Sequence, residues 1–154
     1  MPVPLKDKIY VLLQIVIFLA WLFDAENLFL EFPENLRWIA LFVAGIGGIL
    51  IVIAFIQLNT RLSPFPSPKK GSRLITSGAF TFARHPIYSG ILMIAFGLSF
   101  WLGSGYKLII SLVLAGLFYA KSSYEEKRLQ ERFPEYGSYK AQTGRFFPKF
   151  NWRI

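Results

Sequence analysis

A chain of 154 residues suits a single domain, and its 54% content of hydrophobic residues exceeds the share usual for a soluble globular protein. The absence of cysteine excludes disulfides, thiolate nucleophiles and cysteine metal sites, and a single histidine excludes a histidine-rich site. A mainly oxygen-ligand site has few candidate residues, so we predict no bound metal. The net charge of +8 does not indicate nucleic-acid binding, because the basic residues flank apolar runs, as they do at an anionic membrane surface.

Four apolar segments follow one another along the chain. They cover residues 9–23, 36–58, 87–102 and 106–120. A helix needs about 17–25 apolar residues to cross the hydrocarbon core of a bilayer, so the three shorter segments must be extended by interfacial aromatic residues. The alternative interpretation of a short apolar run is a buried helix of a soluble protein. We predict an all-α, integral membrane helical bundle with about four transmembrane helices in one domain, 1–154.

The segments that connect the apolar runs differ in charge. Residues 59–86 contain basic residues and no acidic one, whereas residues 24–35 contain acidic residues and no basic one. The positive-inside rule therefore places residues 59–86 and the basic tail after Ala120 in the cytoplasm. With four crossings, the protein would be a multi-pass membrane protein whose N- and C-termini are both cytoplasmic.

The last two apolar segments are joined by a very short link, Gly103-Ser104-Gly105. They should therefore form a tight antiparallel helical hairpin, followed by a cytoplasmic C-terminal segment. The hairpin would bring His85 and Glu125 to the same membrane face. Ionisable groups near a membrane are costly unless they have a function, so their meeting predicts a functional site.

The residues around Pro86 indicate the start of a helix, since the missing N–H of proline is harmless in the first turn. Arg84 and His85 would then lie beside free backbone amides, which favour an anionic ligand group. Tyr88 falls on the same side of the helix start as His85. The carboxylate of Glu125 would match a cationic or amine-bearing ligand. Each of these residues also has a purely structural interpretation, such as a weak surface ion pair.

Two motifs stand at a characteristic separation. The first is LITSGAF at 74–80 with RHPIY at 84–88, and the second is Glu125-Glu126 followed by spaced aromatic residues up to Pro148. In these motifs the chain resembles the isoprenylcysteine carboxyl methyltransferase family. Its members are integral membrane enzymes that use S-adenosylmethionine, and phospholipid N-methyltransferases carry a related C-terminal signature. The resemblance implies a methyltransferase that releases S-adenosylhomocysteine and whose acceptor, a lipophilic small molecule or a lipidated substrate, enters from among the membrane lipids.

By motif position, the resemblance implies a cofactor region formed by residues 63–90 and 121–150. The residues implied to bind S-adenosylmethionine are Ser72, Arg73, Leu74, Ile75, Phe80, His85, Pro86, Ile87, Tyr88 and Glu125. The first four would contribute mainly backbone groups. Phe80 would pack against the cofactor, and Glu125 would accept hydrogen bonds from it.

The resemblance also implies roles in catalysis for Lys121 and Glu125. An arginine one helical turn before this glutamate binds the substrate carboxylate in the prenylcysteine enzymes. Lys121 occupies that position here, and it keeps the charge but lacks the two-pronged donor of arginine. The departure bears more on the identity of the acceptor than on methyl transfer.

The identity of the acceptor stays open at this point, since carboxylate, amine, thiol and phenol groups all suit an apolar pocket beside a sulfonium. No Gly-rich pattern of a soluble nucleotide-binding fold occurs. Phospholipid or amine N-methylation, a non-catalytic membrane scaffold and a small transporter are the alternatives. Five glycines mark either an acceptor pathway or close helix packing: Gly45, Gly47, Gly48, Gly90 and Gly97.

Overall fold

The computed structural model describes residues 4–23, 28–58 and 74–149, and their regular secondary structure is helical. The helices are α1 (Leu5–Leu22), α2 (Glu34–Leu58), α3 (Ala79–Phe82), α4 (Pro86–Leu102), α5 (Gly105–Arg132) and α6 (Tyr136–Gln142). An isolated antiparallel bridge joins Phe29 to Ser104. The predicted all-α fold is confirmed. Ser72 and Arg73 lie outside the described residues.

Within the described parts of the chain, two helices, α2 and α5, are long and apolar enough to cross a membrane. Helix α4 is apolar but has only 17 residues, and the first turns of α1 carry Lys6, Asp7 and Lys8. The count of four spans and the cytoplasmic position of both termini therefore stay predictions.

Helices α4 and α5 form the predicted antiparallel hairpin. Gly103 ends α4 at φ +67°, a left-handed conformation that residues with a Cβ seldom adopt. The side chain of Ser104 then caps α5 by accepting a hydrogen bond from the amide of Lys107 at 3.1 Å. Deeper in the hairpin, the hydroxyls of Ser99 and Ser111 lie 3.3 Å apart. The hairpin prediction is confirmed.

Helix α2 packs closely along α4 because glycines remove the side chains at their contact. A Cβ on Gly47 would lie 2.6 Å from the carbonyl oxygen of Gly90, and one on Gly97 would lie 2.5 Å from a carbonyl oxygen of α2. By contrast, a Cβ on Gly45 or Gly48 would have nothing within 4 Å. Close helix packing therefore explains Gly47, Gly90 and Gly97, whereas Gly45 and Gly48 lie on an open face.

The apolar core lies between α4 and α5, with α1 packed against it. Its buried members are Leu92, Ala95, Leu114 and Phe118, and partly buried residues of α1 that contact them are Ile17, Phe18 and Trp21. Hydrogen bonds also hold α1 to α5, since Tyr106 donates to the carbonyl oxygen of Ala20 at 3.1 Å. The packing leaves the first turn of α4 and the last turns of α5 together at one end of the bundle.

Candidate functional site

His85 lies at the centre of a cluster of ionisable residues. Its ring is buried, with Nδ1 3.3 Å from a carboxylate oxygen of Glu125 and Nε2 3.3 Å from one of Glu126. Burial lowers the pKa of His85, but the hydrogen bonds and charges of the two carboxylates outweigh burial and raise the pKa above its usual value of 6.5. The predicted meeting of His85 and Glu125 is confirmed, and the ring is stabilised in its cationic form.

Glu126 is enclosed by cations. Its side chain is 2% exposed and lies 2.8 Å from Arg84, 3.1 Å from Lys140 and 3.5 Å from Arg145, in addition to its contact with His85. A buried carboxylate with this many charged donors is satisfied within the protein. Glu126 therefore fixes the start of α4, the end of α5 and the chain after α6 to one another.

Glu125 has a different environment from its neighbour. Its side chain is 15% exposed, and the hydroxyl of Tyr88 donates to its Oε1 at 2.6 Å. With the contact to His85, the described residues use two of its roughly four acceptor positions. Of the two acids, Glu125 is the one with capacity to accept hydrogen bonds from a ligand.

The chain after α6 folds back over the start of α4. The backbone amides of Arg84 and His85 donate to the carbonyl oxygens of Gly144 at 2.9 Å and Arg145 at 3.1 Å. These two amides are therefore occupied within the protein, and anion binding by the amides of the first turn of α4 stays a prediction. The Arg145 side chain also donates to the hydroxyl of Ser123 at 2.6 Å, which ties the same segment to α5.

Lys121 is buried between α1 and α4. Its ammonium donates a hydrogen bond to Gln14 Oε1 at 2.7 Å and lies 5.3 Å from the centre of the Tyr88 ring. The carboxylates of Asp7 and Glu125 are within electrostatic range of it. The residue that the family resemblance linked to the acceptor thus lies beside the His85 cluster and contacts α1.

The segment before α4 is held near the cluster by two polar contacts. Gln57 accepts a hydrogen bond from the amide of Ala79 at 2.9 Å, at the start of α3. Tyr139 donates its hydroxyl to the carbonyl oxygen of Phe80 at 2.6 Å, and burial raises the pKa of Tyr139 to about 12, so the hydroxyl keeps its proton. These contacts hold Phe80 of α3 next to α6, on one side of the His85 cluster.

The remaining predicted cofactor residues lie along the same segment. Leu74 and Ile75 are partly buried in the irregular segment before α3, Pro86 is buried in the first turn of α4, and Ile87 is partly buried next to it. Pro86 and Ile87 thus follow His85 directly in the chain, whereas Leu74 and Ile75 precede α3.

An apolar groove of about 350 Å³ lies between α1, α4 and α5. Its lining residues are Phe18, Trp21, Leu22, Ile91, Ile94, Ala95 and Leu114. It begins one helical turn beyond Tyr88, whose ring stacks on Phe118 with centroids 4.4 Å apart. The groove therefore lies in the apolar part of the bundle, one helical turn from Tyr88 of the polar cluster.

Comparison with known proteins assigns the family. Residues 36–136 match the family model described as phospholipid methyltransferase. The chain belongs to the phospholipid methyltransferase family. The match extends from α2 to the first residue of α6, so it includes the His85 cluster and excludes α1. It confirms the predicted kinship, and with the two long apolar helices it makes this a membrane protein of a methyltransferase family.

Two curated relatives carry names from metal resistance. The cobalt-zinc-cadmium resistance protein CzcN of Cupriavidus metallidurans is 31% identical over 86 residues, which are 55% of this chain and 40% of the relative. The nickel-cobalt-cadmium resistance protein NccN of Alcaligenes xylosoxydans xylosoxydans is 26% identical over 115 residues, 74% of this chain and 54% of the relative. The chain spans about half the length of these relatives.

Several residues of the site were not singled out from the sequence. Lys140 and Arg145 reach Glu126 only because the chain folds back after α5, and no spacing in the sequence indicates that return. Gln14 did leave a signal, since it is an amide within the apolar segment 9–23, and polar residues within apolar spans are functional candidates.

Proposed function

We propose that this protein is an S-adenosylmethionine-dependent methyltransferase that acts on a lipophilic acceptor entering from the bilayer. The observation that carries the proposal is the meeting of three motif residues, His85, Tyr88 and Glu125, one helical turn from an apolar groove in a phospholipid methyltransferase family member. A polar cluster next to an apolar groove suits a reaction between a charged cofactor and an oily acceptor.

The chemistry of the cluster fits the cofactor. The open acceptor positions of Glu125 match amino and hydroxyl donors, and His85, whose two ring nitrogens face Glu125 and Glu126, would hold Glu125 in place for them. We propose that the cofactor is held by Ser72, Arg73, Leu74, Ile75, Phe80, His85, Pro86, Ile87, Tyr88 and Glu125. When bound, S-adenosylmethionine supplies a methyl group on a positively charged sulfur and is released as S-adenosylhomocysteine.

The protein's own residues would then act mainly by position. The departing thioether needs no proton, so alignment of the acceptor and removal of water from its nucleophile account for most of the rate. Lys121 would draw an anionic group of the acceptor towards the cluster. The apolar groove would hold the hydrocarbon part of the acceptor and keep water away from the reacting atoms.

A second acceptor chemistry, N-methylation of a phospholipid amine, is favoured by the description of the family that the chain matches. In that case the open side of Glu125 could also accept a hydrogen bond from the amine. Both acceptor types have a hydrocarbon part, so the same groove serves either reaction.

The proposal is tested by a methyl-transfer survey. Purified protein is incubated with methyl-labelled S-adenosylmethionine and a total membrane-lipid extract, and labelled products are separated by chromatography. We expect a labelled lipophilic product from wild type and from the control Glu131→Gln, whose acid is exposed on the same helix, and at least tenfold less from Glu125→Gln. Cofactor binding without a labelled product would instead identify a non-catalytic membrane protein.

A further inference from the structure

We propose that Gln14 and Lys121 together bind an anionic oxygen of the acceptor's head group, so that α1 determines which acceptors are used. The inference rests on the proposed function and deepens it. Helix α1 precedes the residues that match the family model, 36–136, so Gln14 belongs to the part of the chain outside that match.

Three helices present the same order of residues towards the groove. On each helix, a polar side chain shares one face with two residues that line or border the groove. The sets are Gln14, Phe18 and Trp21 on α1; Tyr88, Ile91 and Ala95 on α4; and Lys121, Phe118 and Leu114 on α5, which runs in the opposite direction. Residues three, four and seven positions apart share one face of a helix. Gln14, Tyr88 and Lys121 therefore lie one or two helical turns from the lining residues on the same faces of their helices, and we take them as the polar end of the acceptor site.

The carboxylates of Asp7 and Glu125 are within electrostatic range of Lys121, but Gln14 and Lys121 themselves offer hydrogen-bond donors. Gln14 uses its oxygen to accept from Lys121 at 2.7 Å, so its amide nitrogen keeps two N–H donors. The ammonium of Lys121 has three donors, of which one is directed to Gln14. The Tyr88 hydroxyl donates to Glu125 instead. Buried amide and ammonium donors bind a charged oxygen more strongly than a neutral one.

The geometry allows one amphiphile to bind Gln14 and Lys121 with its head group and the apolar groove with its hydrocarbon chain. Seven residues of α1 separate Gln14 from Trp21, a rise of about 10 Å, which is the length of a medium hydrocarbon chain. A carboxylate or phosphate at Gln14 and Lys121 would thus have its chain in the groove beside Trp21. The shared chemistry is an anionic oxygen head with a hydrocarbon tail.

The contact between Gln14 and Lys121 also joins α1 to α5, and a purely interhelical role must be separated from head-group binding. Gln14→Glu keeps an acceptor for Lys121 and strengthens the link between the helices, but it places a negative charge where the head group would bind. The matched control is Tyr106→Phe, which removes a different hydrogen bond between these helices, from Tyr106 to the Ala20 carbonyl oxygen at 3.1 Å.

The test uses quenching of tryptophan fluorescence by amphiphiles that carry a terminal bromine. A fatty acid, an alkyl phosphate and an alkylamine of equal chain length are titrated into the detergent-solubilised protein. Trp21→Phe gives the quenching that does not depend on the groove, and the melting temperature of each variant shows that it is folded. Tighter binding of the fatty acid would indicate a carboxylate acceptor, and tighter binding of the alkyl phosphate would indicate a phospholipid.

We expect at least one of the anionic probes to bind wild type and Tyr106→Phe at least tenfold more tightly than the amine, about the effect of one charge-assisted contact. Gln14→Glu should abolish that preference while raising or preserving the melting temperature. Equal binding of acid, phosphate and amine, or an unchanged preference in Gln14→Glu, would overturn the inference. Calorimetry with S-adenosylmethionine on the same samples reports separately on the proposed function.

Discussion

Tyr88 donates its hydroxyl to Glu125 across 2.6 Å and thereby joins the first turn of α4 to α5 beyond its apolar part. The bond holds Glu125 on the side of α5 that faces the groove. Glu126, one residue later, is rotated by about 100° around the helix and is surrounded by cations. The two adjacent acids therefore have different environments: Glu126 holds parts of the fold together, and Glu125 keeps open acceptor positions that we propose for the cofactor.

This division predicts opposite effects of two matched substitutions. Glu126→Gln leaves the buried guanidinium of Arg84 without its carboxylate, so we expect a loss of about 3 kcal/mol of stability, measured as a lower melting temperature in detergent. Glu125→Gln should leave the melting temperature nearly unchanged and weaken cofactor binding at least tenfold. A large stability loss in Glu125→Gln with little in Glu126→Gln would show that the two roles are exchanged.

The raised pKa of His85 predicts how the stability of the protein depends on pH. Burial lowers the pKa of His85, but Glu125 and Glu126 together raise it above 6.5, so folding favours the protonated ring. Its contribution to stability is fully present below the unfolded pKa of about 6.5 and is lost as pH rises through the higher folded value. We expect the melting temperature of wild type to fall across this range relative to His85→Gln. Parallel curves for the two proteins would contradict the prediction.

The contact of α2 with α4 gives a prediction with an internal control. Gly90→Ala would place a Cβ 2.5 Å from the carbonyl oxygen of Gly47, so the helices must separate, at a cost of about 1–3 kcal/mol. In Gly48→Ala the new methyl meets nothing within 4 Å, and alanine is the better helix former, so stability should be equal or higher. Thermal unfolding of both variants measures the difference, and similar melting temperatures would exclude close packing at Gly90.

The predicted orientation in the membrane is tested by chemical labelling. The chain has no cysteine, so Ser67→Cys and Asn27→Cys each introduce a single thiol. With the basic segment 59–86 in the cytoplasm, an impermeant thiol reagent on intact cells should label Asn27→Cys and spare Ser67→Cys. The reverse pattern would invert the topology.

The sequence predicted the parts of the fold that depend on local chemistry. A short Gly103-Ser104-Gly105 link led to the hairpin, and the hairpin placed His85 next to Glu125. It did not predict the return of the chain after α6, because the contacts of Arg145 with Glu126 and Ser123 depend on tertiary packing. Nor did it assign Gln14 to Lys121, since the pairing of α1 with α5 leaves no local pattern.

The central claim is that the His85 and Glu125 cluster holds S-adenosylmethionine, and isothermal titration calorimetry of the detergent-solubilised protein tests it most directly. We predict measurable binding of S-adenosylmethionine or S-adenosylhomocysteine by wild type and by Glu131→Ala, an exposed acid of the same helix. His85→Ala and Glu125→Ala should each bind at least tenfold more weakly, about the loss of one charge-assisted contact. No binding by wild type, or equal affinity in all four proteins, would contradict the account.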